Sequence, residues 1–368
     1  MDLHVFYAHN QSSTDQAKAG FGNAFDWDID LFSDYNYKFL INRSLKPSVN
    51  NYFGCDTPGI YNEVRDGGFD VFLITGWYLR CYWQAVSASH RIGIPVMVRG
   101  DSQLTTPRSR VKKIVKEIVY PKLLQYFDAY LYVGIKNKEY LEHYKVQSEK
   151  LFFSPHCIDN EWFSDKASNT DVQEVRKRLG CRQGYHLVLF VGKFLENKRA
   201  MDVVKSLEIL KNEGMNVHGV FVGSGELELS LRDAVVRANL SAIFTGFLNQ
   251  SELPEVYASA DLLVLPSASE TWGLVVNEAL ACGTPVVVSN AVGCAPDLVD
   301  DGNTGAVYPV GDISTMADAI KRVLTTPLNS TAIKQKIRTY SLNIASNGIV
   351  DAAGMLASEN ASKGILGR

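Results

Sequence analysis

Short, continuous apolar runs recur along the whole chain, and they constrain its fold more than any other feature. In the first half these are "LHVFYA" (3–8), "YKFLI" (37–41), "DVFLIT" (70–75), "PVMVR" (95–99) and "AYLYVG" (129–134). The second half repeats them as "HLVLFVG" (186–192), "VHGVFVG" (217–223), "AIFTG" (242–246), "DLLVLP" (261–266), "PVVVS" (285–289) and "GAVYP" (305–309). Strands apolar on both faces, with amphipathic helical stretches between them, belong to parallel sheets covered on both sides. At 368 residues the chain is too long for one core. The expected class is therefore α/β, with two doubly wound Rossmann-like domains facing each other across a cleft. Ligands of such domains sit at the carboxyl ends of the strands. "SPHCIDNEWFSDKASN" (154–169) is polar and aperiodic, which places the domain junction there. The expected boundaries are 1–160, 161–345 and a C-terminal helix over 346–368 that packs back on the first domain.

Composition narrows the function classes. A net charge of −3 gives no general attraction to nucleic acid. The six cysteines are scattered, with no C-x-x-C pair and no histidine spacing suited to zinc. They read as reduced thiols of a cytosolic protein. "MDLHVFYAHNQSS" has no signal-peptide core, and no apolar run approaches the length of a membrane span. The expected location is cytoplasmic.

"SETWGLVVNEALACGTPVV" (269–287) holds two glutamates eight positions apart, Glu270 and Glu278. A strand ending at Pro266 and a helix stopping at Gly283 would put Glu270 in the connecting loop and Glu278 two turns along the helix. Between them the backbone N–H groups of Trp272, Gly273, Leu274 and Val275 form an open helix end, which attracts phosphate. A ligand with hydroxyls at both ends and phosphate in the middle, such as a nucleotide sugar, would suit this site. Acidic residues early in a helix also occur simply because they favour its dipole, so the stretch alone leaves both readings open.

Further signals fall at the same sheet edge. "HLVLFVGKFLENKRAMDVV" leaves its strand at Gly192 and offers Lys193 and Lys198, either two solvated cations or a clamp for a departing diphosphate. "VFVGSGELE" places Gly223 and Gly225 where backbone can closely approach a ligand. "FTGFLNQSEL" places Gly246 and Phe247 to flank a flat ring, and "NAVGCAPDLV" adds another loop.

Taken in order, "FVGKFLENKR", "FVGSGEL", "FTGF", "PSASETWGLVVNEALACGTPVVVSN", "VGCAPDLV" and "DGNTGAVYPVGD" resemble the C-terminal half of glycosyltransferase family 4. The resemblance is close over residues 185 to 315 and looser through "IPVMVRGDS" and "SPHCIDNEWF". It implies the GT-B fold and sugar transfer from a UDP- or GDP-sugar, with retention of configuration and without a metal. The acceptor would be a glycan or lipid-linked hydroxyl, in surface polysaccharide or glycolipid synthesis. By the same resemblance Glu278 would bind the donor ribose and Glu270 the donor sugar near the reacting carbon. Thr271, Gly273, Leu274 and Val275 would meet the diphosphate or sugar, Gly192 and Gly223 would line the donor, and Phe247 would help hold the base. Lys193 and Lys198 would neutralise the leaving diphosphate. Arg is commoner in the family at position 193, and Lys keeps the charge without the bidentate fork. Front-face attack and a covalent intermediate both stay open.

The chain departs from the family pattern in two places. Where many relatives carry a histidine, "VMVRGDS" has Asp101 beside Arg99. Asp101 would accept a sugar hydroxyl and Arg99 would orient it or face the diphosphate; a structural ion pair is the alternative. The chain also starts at what resembles the family's second strand, so the expectation is a truncated first domain, or "KAGFGNAF" (18–25) standing in for the missing loop. A nucleotide-sugar epimerase and a nucleotide-sugar-binding protein without turnover are the alternative functions.

"TPRSRVKKIVKEIVYPK" (106–122) carries six Lys or Arg against one Glu, with Val111, Ile114, Val115 and Ile118 at helical spacing. An ordinary helix packing this stripe inward is the first expectation. Basic amphipathic helices also lie on anionic membranes, which would make the protein peripheral on the inner face and its acceptor lipid-linked.

Overall fold

The computed structural model describes residues 1–10, 28, 32–106, 108–326 and 330–366; the stretch 18–25 lies outside them. Twelve strands form among the described residues. They are β1 (His4–Tyr7), β2 (Asn36–Phe39), β3 (Phe72–Ile74), β4 (Val96–Gly100), β5 (Ala129–Tyr132), β6 (Leu151–Phe153), β7 (His186–Val191), β8 (Val217–Val222), β9 (Ser241–Gly246), β10 (Leu262–Leu265), β11 (Val286–Ser289) and β12 (Gly305–Tyr308). Eleven coincide with the apolar runs above. β6 was not expected, because "LFF" at 151–153 is too short to show a pattern.

Two compact units result. The described residues up to Pro155, Asp28 excepted, form one unit together with those from Asn343 onward; Asp28 and His156–Leu342 form the other. The first contains a four-stranded parallel sheet in the order β3-β4-β5-β6 and a separate parallel pair, β1-β2. The helix Leu342–Leu366 closes on this sheet, with Ala352 and Leu356 packed against Met97, Ala129 and Leu131. Ser154 Oγ donates to the Ala345 carbonyl at 3.0 Å. Gly348 faces the Phe153 carbonyl so closely that a Cβ there would lie 1.9 Å from its oxygen.

The second unit is a six-stranded parallel sheet in the order β12-β11-β10-β7-β8-β9. Its central strands are buried along their length except at His186, as their predominantly apolar character requires. Val188, Phe190, Phe221 and Val264 build a core with the helices Ala200–Asn212 and Ile313–Thr325. The polar stretch 154–169, read above as a connection, folds from Asn160 to Ser168 into a helix. Its signal is the cap: Asp159 accepts from the Trp162 N–H at 2.9 Å, and Phe163 is the buried anchor.

The basic segment reverses the packing expectation. Its helix runs from Arg110 to Leu123 behind the N-cap Ser109, but the apolar stripe faces solvent: Val111 is 71% exposed, Ile114 61% and Ile118 69%. The buried member is Lys116. Its Nζ donates to Tyr140 Oη at 2.7 Å and lies 4.2 Å from the ring centre of Tyr120 and 4.9 Å from that of Tyr140. Burial pushes this ammonium down to about 8, and the aromatic faces supply the attraction that lets a charge sit there. Helical periodicity reveals that a stripe exists; the tyrosine cage decides which way it points.

Two glycines of the C-terminal helix make the packing testable. Gly348→Ala is expected to lower the stability of its unit by about 1–3 kcal/mol through the clash with Phe153. Gly354→Ala, with nothing within 4 Å, is expected to raise it by about 0.5–1 kcal/mol. Urea midpoints should move in opposite directions.

Candidate active site

The loops that follow β7, β8, β9, β10 and β11 leave the carboxyl edge of the six-stranded sheet, and backbone contacts lock these five together. Gly192 N–H donates to the Val222 carbonyl at 3.0 Å, and Gly223 N–H to Gly246 at 2.8 Å. Gly223 has φ +131°, and a Cβ on it would lie 2.1 Å from the Gly192 oxygen. Phe194 donates to Ser224 at 2.8 Å and accepts from Leu227 at 3.1 Å. Across the sheet, Ala268 N–H reaches the Asn197 carbonyl at 2.8 Å. The last loop is fastened by Gly293 N–H to Glu270 at 2.9 Å and Cys294 N–H to Trp272 at 3.0 Å, where a Cβ on Gly293 would meet the Thr271 oxygen at 1.9 Å.

This lattice of loops brings three predicted residues together. Lys198, in the turn Glu196–Lys198, forms an ion pair with Glu270, with side chains only 22% and 18% exposed. Lys193 lies close enough for both to affect it. Its ammonium is pushed below the ordinary lysine value by burial first and the Lys198 charge second, with Glu270 opposing. The cluster therefore holds two cations and one anion, a local excess of positive charge beside the next helix.

That helix runs from Leu274 to Ala281, shorter than the sequence suggests. Gly273, at φ +103°, turns the chain into it, and a Cβ there would lie 2.9 Å from Leu265 Cδ2. Among the described residues none accepts from the backbone N–H of Gly273, Leu274 or Val275. These donors end the helix beside an exposed Thr271 and a Leu274 that is 41% exposed. Trp272 belongs to the scaffold and is buried; its Nε1 donates to Asn277 Oδ1 at 2.8 Å, and Asn277 Nδ2 to the His156 carbonyl at 3.2 Å.

Glu278 is not part of the charged cluster. It is buried and accepts from Tyr257 Oη at 2.6 Å and from Gln250. Burial holds its carboxyl above the ordinary glutamate value, and the two hydrogen bonds only partly offset this. The sequence analysis missed Tyr257 and Gln250. Tyr257 is masked in the apolar "LPEVYAS", whereas Gln250 shares the loop after β9 with Phe247, which is half-buried. In the other unit, Asp101 follows β4, half-buried. Arg99 is placed by its role at the end of that unit, where Nη2 donates to the carbonyls of Ser154 at 3.2 Å and Pro155 at 2.9 Å. A cavity of about 990 Å3 lies at the opposite edge of the six-stranded sheet, beside Arg176 and Asp261, and none of the predicted residues borders it. Among the described residues no group of three or more His, Cys, Asp or Glu is placed to hold a metal ion.

The buried carboxyl gives a pH signature. Because its value is raised in the folded chain, the stability it contributes is complete below the unfolded value and is lost as pH rises through the folded one. Glu278→Gln keeps an acceptor for Tyr257 and removes the loss. Its stability relative to wild type should therefore rise over the pH range above the ordinary glutamate value in urea titrations. An offset constant across that range would contradict the assignment.

Comparison with known proteins bears on the fold and the family. The family "Glycosyl transferases group 1" matches residues 171–340. The sulfoquinovosyl transferase SQD2 of Arabidopsis thaliana is 32% identical over 203 residues, which cover 52% of this chain and 37% of that one. The chain spans less than half the length of the first curated relatives it matches, with shares of 37%, 43% and 42%. Among solved structures, a glycosyltransferase from Rickettsia africae superposes with a TM-score of 0.68 at 15% identity, over 88% of this chain and 85% of that one. The Anabaena protein HepE, in complex with UDP and glucose, gives a TM-score of 0.59 at 19% identity, over 89% and 85%. The fold is that of the GT-B glycosyltransferases, and within it residues 171–340 match the glycosyl transferases group 1 family.

Proposed function

We propose that the chain transfers a sugar from a UDP- or GDP-sugar to a hydroxyl of a glycan or lipid-linked acceptor, retaining the anomeric configuration and needing no metal. The observation that carries this reading is the Lys193–Lys198–Glu270 cluster beside the open N–H groups of Gly273, Leu274 and Val275. In the reaction the bond from the anomeric carbon to the diphosphate breaks, a bond to the acceptor oxygen forms, and that oxygen's proton passes to the departing diphosphate. Negative charge gathers on the departing diphosphate, where two ammonium groups and three backbone donors are already fixed and need no reorganisation. Glu270, freed from Lys198 as the diphosphate takes over that cation, orients a sugar hydroxyl. Glu278 receives the ribose hydroxyls in place of, or beside, Gln250, since a carboxylate has room for about four donors. A UDP-bound neighbour of the same fold supports the donor class. The setting consistent with this chemistry is the cytoplasmic side of a membrane, in surface polysaccharide or glycolipid synthesis.

Thermal shifts with UDP, GDP and their sugars, without magnesium, test the reading. A ligand at about 100 times its dissociation constant adds about 2.7 kcal/mol, a rise of several degrees. One base should give that shift in wild type and not in Glu278→Ala. Lys198→Ala is expected to lower kcat by about 10²–10³ with KM little changed. Silence with every nucleotide would sink the proposal, and tight donor binding with neither transfer nor hydrolysis would replace the enzyme with a binding protein.

A further inference from the structure

We propose that the outward face of the helix Arg110–Leu123 docks on the anionic surface of a lipid bilayer. Val111, Ile114, Val115, Ile118 and Val119 share one side of this helix, and all five are exposed. Its inward side is Lys116 and Tyr120, held by Tyr140 and Tyr144 of the helix Ile135–His143 and the residue that follows it. An apolar face turned to water by a buried lysine is costly for a surface that meets nothing.

Charge says what it meets. By helical spacing Arg110 and Lys112 flank the stripe and Lys122 continues it, and with Arg108 and Lys113 they make five exposed cations on or beside this helix. The helix's one carboxylate, Glu117, turns instead to His143 Nε2 at 3.0 Å and Tyr144 Oη at 3.5 Å. The face is thus apolar along its middle and positive around it, the complement of acyl chains beneath anionic headgroups. A second copy of the same helix would bring five cations against five. At about 1.5 Å per residue the helix lies some 21 Å along the surface and cannot cross it. Among the described residues no helix is long and apolar enough to span a membrane.

The inference deepens the transfer reading by naming the surface where a lipid-linked acceptor would be met, but its test involves no sugar. Co-sedimentation is measured with phosphatidylcholine vesicles and with vesicles in which about a third of that lipid is phosphatidylglycerol. The full chain should bind the anionic vesicles at least ~10-fold more tightly, and salt should weaken that binding. Ile114→Asp/Ile118→Asp should cost ~10-fold or more. Lys112→Gln/Lys113→Gln, which leaves the stripe intact, should cost on the order of 20-fold. Both variants change exposed positions and should keep the wild-type melting temperature and nucleotide-induced shift. Equal binding to both vesicles, or anionic binding that neither variant weakens, would overturn the proposal. So would self-association in solution that Ile114→Asp/Ile118→Asp abolishes, which would make a second copy the occupant. A chain that binds vesicles but no nucleotide would leave this surface standing and remove the transferase reading alone.

Discussion

The second unit depends on backbone meeting backbone at the carboxyl edge of its sheet. Gly223 against the Gly192 carbonyl, and Gly293 against that of Thr271, are approaches no side chain permits. They let loops from separate strands share hydrogen bonds directly, so that Lys193, Lys198 and Glu270 are held by a connected scaffold. Had side chains separated these loops, each charged group would stand on its own flexible turn. Paying ordering entropy within the fold leaves less to be lost when a ligand binds.

Within that scaffold the two glutamates are held in different electrostatic states. Glu270 has a cationic partner and lies in a region of net positive charge. Glu278 lies in an apolar setting with a phenol and an amide for partners, where its charged form is disfavoured. The same side chain thus suits competition for a cation at one position and acceptance from neutral hydroxyl donors at the other. Trp272 and Asn277 connect the two environments, pinning the turn before the helix to the helix itself.

The first unit shows how an ordinary pattern can be mounted in an unexpected direction. Its basic helix has the composition of a half-buried surface helix, yet its cationic residue 116 is the buried one. Tyr120, Tyr140 and Tyr144 come from two segments joined only by folding, so their cage has no signature in the local sequence. Arg99 is similar: its guanidinium reaches carbonyls at 154 and 155, far along the chain.

Eleven strands were legible because an apolar run confined between turn-formers has few other places to go, and β6 was not, because three residues carry no period. The strand-end glycines and the lysines beside them were legible because local chain geometry puts them at one edge. Partners distant in sequence were not: Tyr257 and Gln250 for Glu278, the Trp272–Asn277–His156 connection, and the aromatic cage of Lys116. By itself the sequence determined the α/β class, the strand order along the chain and the residue types available for the site, since these follow from local periodicity and backbone sterics. Only the tertiary structure decided which carboxylate is paired, which is buried and which face of the basic helix meets solvent. Burial and electrostatic partnership depend on neighbours that the folded chain alone brings into contact.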